Sequence, residues 1–139
     1  MAEFPAPREG LLLTHLVVSR DVERSRRFYD EVLGGETVVD DAEFAIVAIG
    51  NGWVTITRGG EPTPDKPTVT LEPPTDLDRV CGFLNIRVAD IAAAYEHWRA
   101  RGADFLTPPV NRGSEIRCYM RDPDGHLIEV GQVVSSDDG

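Results

Sequence analysis

The side chains of this chain best equipped for chemistry fall on alternate positions of short strand-like runs. Glu115, Arg117 and Tyr119 share one side of a run whose other side is Ile116, Cys118 and Met120, because successive strand residues point to opposite faces. A guanidinium at Arg117 can hold a carboxylate or an enolate oxygen, and the Tyr119 phenol can stack on a ring or donate a proton. Asn85 and Arg87 take the polar side of a second run, and Trp53 with Thr55 that of a third. Phe83 and Trp53 offer flat apolar surface suited to stacking on a ring. His97, beside Glu96, Arg99 and Arg101, reads as part of a charged helix face, and His126 as part of a turn leading into a strand. No glycine-rich phosphate loop, nucleophile elbow, Cys-X-X-Cys or His-Glu-X-X-His pattern competes with these residues.

The elements that must position them come in two similar sets. Leu11 to Val18 is an apolar strand-like run that meets Asp21, after which Val22, Ser25, Phe28, Tyr29 and Val32 recur at helical spacing until Gly34-Gly35. Phe83 to Val88 meets Asp90 in the same way, followed by Ile91, Ala94, Tyr95 and Trp98 on one stripe that stops at Gly102. The two Asp residues are 69 positions apart, too long for a solenoid repeat and suited to a duplicated half-domain. In half one, runs at Glu36–Asp40, Phe44–Gly50 and Trp53–Thr57 follow the helix, the last two joined by Asn51-Gly52, a two-residue hairpin signal. Half two offers strands at Val80–Val88, Asp104–Leu106, Ile116–Met120 and Leu127–Val133, with the turn Arg121-Asp122-Pro123-Asp124-Gly125 between the last two. A proline-rich stretch from Gly59 to Asp78, with one short strand candidate at Val69–Leu71, reads as an extended connector. The expected architecture is α+β: paired βαβββ modules, about 11–72 and 80–133, in a single domain spanning 1–139. They would form a curved mixed sheet with helices outside and a concave cleft that the polar strand faces line.

With 139 residues, the chain is long enough to bury roughly two thirds of its unfolded surface without staples. Its 24 acidic against 14 basic residues give a formal net charge of −10, which argues against nucleic acid or an anionic membrane as a partner. Cys81 and Cys118 sit in apolar or mixed runs and read as reduced packing thiols. No leader-like segment opens the chain and no apolar run approaches the roughly 20 residues that span a bilayer, so a cytoplasmic protein is expected. Met1–Gly10 and Ser135–Gly139 read as frayed termini.

Three segments carry a family resemblance: Asp21-Val22-Glu23-Arg24-Ser25-Arg26-Arg27-Phe28-Tyr29 running to Val32-Leu33-Gly34, Val88-Ala89-Asp90-Ile91 to Gly102-Ala103, and Arg121-Asp122-Pro123-Asp124-Gly125-His126-Leu127-Ile128-Glu129-Val130. In these the chain resembles the vicinal oxygen chelate superfamily, which includes glyoxalases, bleomycin and fosfomycin resistance proteins and extradiol dioxygenases. The resemblance implies the glyoxalase/bleomycin resistance fold and a homodimer. For the enzymes of the group it also implies a divalent metal on the concave face that chelates two neighbouring substrate oxygens. Glu129 stands where the group places its carboxylate ligand. The other ligand positions fall on Thr14, Thr55 and Phe83, which are poor donors or none. His15 is one residue from the expected place. If Val18 takes the position of the motif's valine, an extra residue forms a bulge that returns His15 to the concave face, opposite Asn85.

Two function classes follow. In the first, His15 and Glu129 anchor Fe, Ni, Zn or Mn, and Glu129 or Tyr119 moves a proton in a lyase, isomerase or dioxygenase. In the second, the metal is lost and the cleft binds an aromatic or natural-product small molecule through Trp53, Thr55, Phe83, Asn85, Arg87 and Arg117. The missing donors favour binding without a full metal site.

Overall fold

The structure, a computed structural model, describes residues 4–134. The chain divides into two compact units, Met1–Thr75 and Asp76–Gly139. Residues 1–3 and 135–139, parts of the stretches expected to fray, lie outside the described residues.

Unit one holds β1 (His15–Val18), α1 (Val22–Arg27), a π-helical turn (Phe28–Val32), β2 (Glu36–Asp40), β3 (Phe44–Ile49) and β4 (Gly52–Thr57). Its sheet runs β1-β4-β3-β2, with β1 parallel to β4 and the other pairs antiparallel. Asp21 caps α1, its carboxylate accepting from the Arg24 amide at 3.1 Å. The Ser19 hydroxyl accepts from the Asp21 amide at 3.0 Å and bonds the Ser25 hydroxyl, both serines being buried. The helix ends by widening, the Leu33 amide reaching the Phe28 carbonyl at 3.1 Å. An i+5 bond of this kind shifts the following side chains around the axis. Phe28 and Tyr29 are both buried, their rings edge-on at 5.0 Å. Val17, Ala45, Val47, Val54 and Ile56 form the buried face of the sheet.

Unit two holds β5 (Leu84–Arg87), α2 (Ile91–Ala100), β6 (Asp104–Phe105), β7 (Val110–Asn111), β8 (Glu115–Arg121) and β9 (Leu127–Val133). Its sheet runs β5-β9-β8-β6, with β7 also on β8 and β5 parallel to β9. Asp90 caps α2 as Asp21 caps α1, accepting from the Ala93 amide at 3.0 Å, while the Gln132 side chain accepts from the Ile91 amide at 2.8 Å. Cys118, Met120, Ile128 and Val130 are the buried counterparts of Ala45, Val47, Val54 and Ile56. The expected duplication is thus present residue by residue, in two mixed sheets.

Several expected strands are shorter than their apolar runs. β1 begins at His15 rather than Leu11, because its ladder with β4 starts at His15 opposite Val54; Leu11 and Leu13 are exposed. β5 begins at Leu84 rather than Val80, because its ladder with β9 starts at Leu84 opposite Ile128. The connector folds back on itself: Gly60 and Leu71 exchange both backbone bonds, and Lys66 Nζ donates to the Glu61 and Val69 carbonyls at 2.9 and 3.2 Å. Among the described residues, no helix is long and apolar enough to cross a membrane.

Both cysteines are free, Cys81 exposed and Cys118 buried, and burial pushes the Cys118 thiol up to about 11. A thiol reacts as its thiolate, so Ellman's reagent at neutral pH is expected to modify one thiol per native chain rapidly and the second only after unfolding. Two equally fast thiols would contradict the packing of β8.

Candidate functional site

The β8–β9 hairpin aligns the polar residues of unit two. Its turn is built on Asp122, whose carboxylate accepts from the amides of Asp124 and His126, each at 2.9 Å. Gly125 adopts φ +93°, with the Leu77 side chain where a Cβ would stand. The positive φ is what calls for glycine here, since the Leu77 side chain can give way. The turn sets the register in which Tyr119 faces Glu129, and β5 places Asn85 on the other side of the same glutamate.

Glu129 is 7% exposed. Its Oε1 accepts from the Asn85 amide nitrogen and its Oε2 from the Tyr119 hydroxyl. The Glu129 hydrogen bond, aided by partial burial, raises the Tyr119 phenol above the usual tyrosine range. Phe83, 43% exposed, meets the Tyr119 ring edge-on at 5.9 Å. One step along the strands, Arg87, Gly131 and Arg117 form the next row. Arg87 Nη1 and Arg117 Nη1 donate to opposite oxygens of Glu115 at 3.0 and 3.2 Å, and they hold its carboxyl below the usual carboxylate range. The Arg87 guanidinium lies across Gly131, where a Cβ would stand 2.8 Å from Nη1.

Unit one carries no such row. Leu16, Thr55 and Ile46 stand where unit two has Asn85, Glu129 and Tyr119. The expected bulge is absent: β1 pairs with β4 without interruption, and the offset of 69 between modules holds through the strand. Leu16, not His15, is therefore the counterpart of Asn85. His15 aligns with Val54 on the face that carries Val17 and Ile56, opposite in direction to Thr55. Trp53 lines a groove of about 620 Å³ together with Phe4, Pro7, Arg8 and Leu12 of the N-terminal segment. The site residues thus fall into two sets, His15, Trp53 and Thr55 in unit one and Phe83, Asn85, Arg87, Arg117, Tyr119 and Glu129 in unit two. Gly131 and Glu115 were not among the expected site residues. A glycine inside an otherwise alternating strand is the signal that marks the first.

Residues 12–130 match the Glyoxalase/Bleomycin resistance protein/Dioxygenase superfamily. The chain belongs to that superfamily. It is 29% identical over 134 residues to a lactoylglutathione lyase of Neisseria meningitidis, covering 92% of this chain and 94% of that protein. A superfamily member from Nocardioides has the same fold, with a TM-score of 0.72 at 20% identity over 94% of this chain and 88% of its own. TnmS3, an antibiotic-binding protein from Streptomyces, superposes with a TM-score of 0.65 at 20% identity over 93% of this chain and all of its own.

Members of the superfamily that use a divalent ion need several anionic or imidazole donors converging on one point. In unit two, both oxygens of Glu129 accept hydrogen bonds, one from an amide and one from a phenol whose ring meets Phe83. No group of three His, Cys, Asp or Glu side chains suited to a metal occurs among the described residues. This donor set does not fit a resident divalent ion.

Proposed function

We propose that this superfamily member binds an organic small molecule bearing an aromatic ring, without a metal, on the polar face of unit two. The observation that carries the reading is the pairing of Glu129 with Asn85 and Tyr119 beside the exposed Phe83 ring. Phe83 supplies a face on which a ring can stack, and the Tyr119 edge defines one wall. Asn85 retains amide hydrogen-bonding capacity beyond the bond it gives Glu129, and so can orient a polar substituent. TnmS3, which shares the fold, is an antibiotic-binding protein, and this supports a small-molecule reading.

The reading is tested by calorimetric titration of planar aromatic compounds, biphenyl-4-carboxamide among them, with EDTA present throughout. Binding is expected with the metal chelated, weakened about tenfold by Phe83→Ala through the loss of a stacked ring. A silent panel overturns the proposal. Binding that appears only after a divalent ion is added returns the metal-dependent reading, with Glu129 as its carboxylate.

A further inference from the structure

Beyond the ring-binding row lies a pair of arginines that neither the fold nor the hydrogen bonding of Glu129 requires. Arg87 comes from β5 and Arg117 from β8, two strands separated by β9. What lets them share one carboxylate is Gly131, the β9 residue between them. Any side chain there would occupy the path of the Arg87 guanidinium. Glu115 takes one nitrogen from each arginine, which fixes the two forks toward each other. Among the described residues, Glu115 is the hydrogen-bond partner of both guanidiniums, so each keeps unused N–H groups. Two guanidiniums against one carboxylate leave the cluster with a net positive charge in a chain whose total is −10.

A planar pair of N–H groups on a guanidinium matches the two oxygens of a carboxylate, and a charge-assisted bond of this kind is about twice as strong as a neutral one. The neighbouring Glu129 keeps its charge, but its two oxygens are turned to Asn85 and Tyr119 in the adjacent row, whereas Glu115 is the carboxylate that the two arginines hold. Arg121, further along β8, is engaged elsewhere, on the Leu77 carbonyl at 2.9 Å and near Asp78. The arginine row stands two residues along the strands from the Asn85–Glu129–Tyr119 row, a step of about 7 Å.

Building on the proposed ring-binding site, we infer that the ligand of this face is an aromatic carboxylic acid, its ring against Phe83 and Tyr119 and its carboxylate held by Arg87 and Arg117 over Gly131. The acid group lies one strand step from the ring, so a rigid biaryl acid suits the spacing better than a benzoate.

The test compares biphenyl-4-carboxylate with its neutral isostere biphenyl-4-carboxamide on the full chain, in EDTA, by calorimetry at low and high sodium chloride. The acid is expected to bind about tenfold more tightly at low salt. That preference should shrink as salt screens the guanidiniums. In Arg87→Gln and in Arg117→Gln, each checked for native circular dichroism, the ratio of acid to amide affinity should fall toward one. Equal, salt-independent binding of the two probes to the unmodified chain overturns this inference and leaves the ring-binding reading standing. Binding of neither probe overturns both. An acid preference that survives both substitutions assigns the carboxylate to another cation and overturns the inference.

Discussion

Tyr29→Ala is expected to lower the stability of the chain by about 4 kcal/mol, the range found when a buried aromatic is truncated in a packed core. Tyr29 is fully buried, 0% exposed, and its ring meets Phe28 edge-on. The loss combines transfer of the ring to water, the cavity left behind and an aromatic pair worth about 1 kcal/mol. Domains of this size hold only about 5–15 kcal/mol in total, so a melting temperature lower by roughly 10 °C is anticipated. Leu13→Ala is the control: at 83% exposure the side chain has little to lose. Equal shifts in the two variants would mean that the π-helical turn does not bring Tyr29 into the core.

The second large effect concerns Tyr119→Phe. This substitution removes one of the two donors to a Glu129 carboxylate that is 7% exposed. A hydrogen bond to a charged acceptor contributes about 1.5–3 kcal/mol, and chemical denaturation at neutral pH should read a loss near the middle of that range. The sign of the pH dependence follows from the raised phenol. A group whose folded pKa exceeds its unfolded value of about 10 stabilises fully below that pH. The contribution is lost as pH rises through the folded value, where a phenolate would face the carboxylate. The stability gap between the natural chain and Tyr119→Phe should therefore be constant at neutral pH and close in strongly alkaline solution. A gap that widens there would contradict the bond.

The alternation of Glu115, Arg117 and Tyr119 was legible because a strand's period of two is a backbone property, and the register keeps all three on one face. The paired helix caps Asp21 and Asp90 were legible for a similar reason, since a short carboxylate before a helix satisfies amides locally. The position of His15 was misread through the valine. Val88 and Ser19 are the true counterparts, each donating its amide to the parallel neighbouring strand, Ser19 to the Thr57 carbonyl of β4 and Val88 to the Gly131 carbonyl of β9, and the Ser19 hydroxyl finds Ser25. A hydrophobic letter was absent while the backbone position was retained. Strand lengths were not legible from apolar runs because a strand lasts only as long as its ladder of paired residues, which is a tertiary fact. The crossing of Arg87 over Gly131 depends on space made on the neighbouring strand β9, and no local pattern in β5 announces it.

The two faces of these sheets have different histories. On the buried face the modules still agree in kind: Ala45 and Cys118, Val47 and Met120, Val54 and Ile128, Ile56 and Val130. On the other face they have parted completely, Leu16, Thr55 and Ile46 against Asn85, Glu129 and Tyr119. Alternation along a strand makes this divergence cheap, since changing every second residue leaves the hydrophobic side untouched. Such a protein is evolvable by construction: recognition can be rewritten on one side of the backbone while the other goes on specifying how the chain folds.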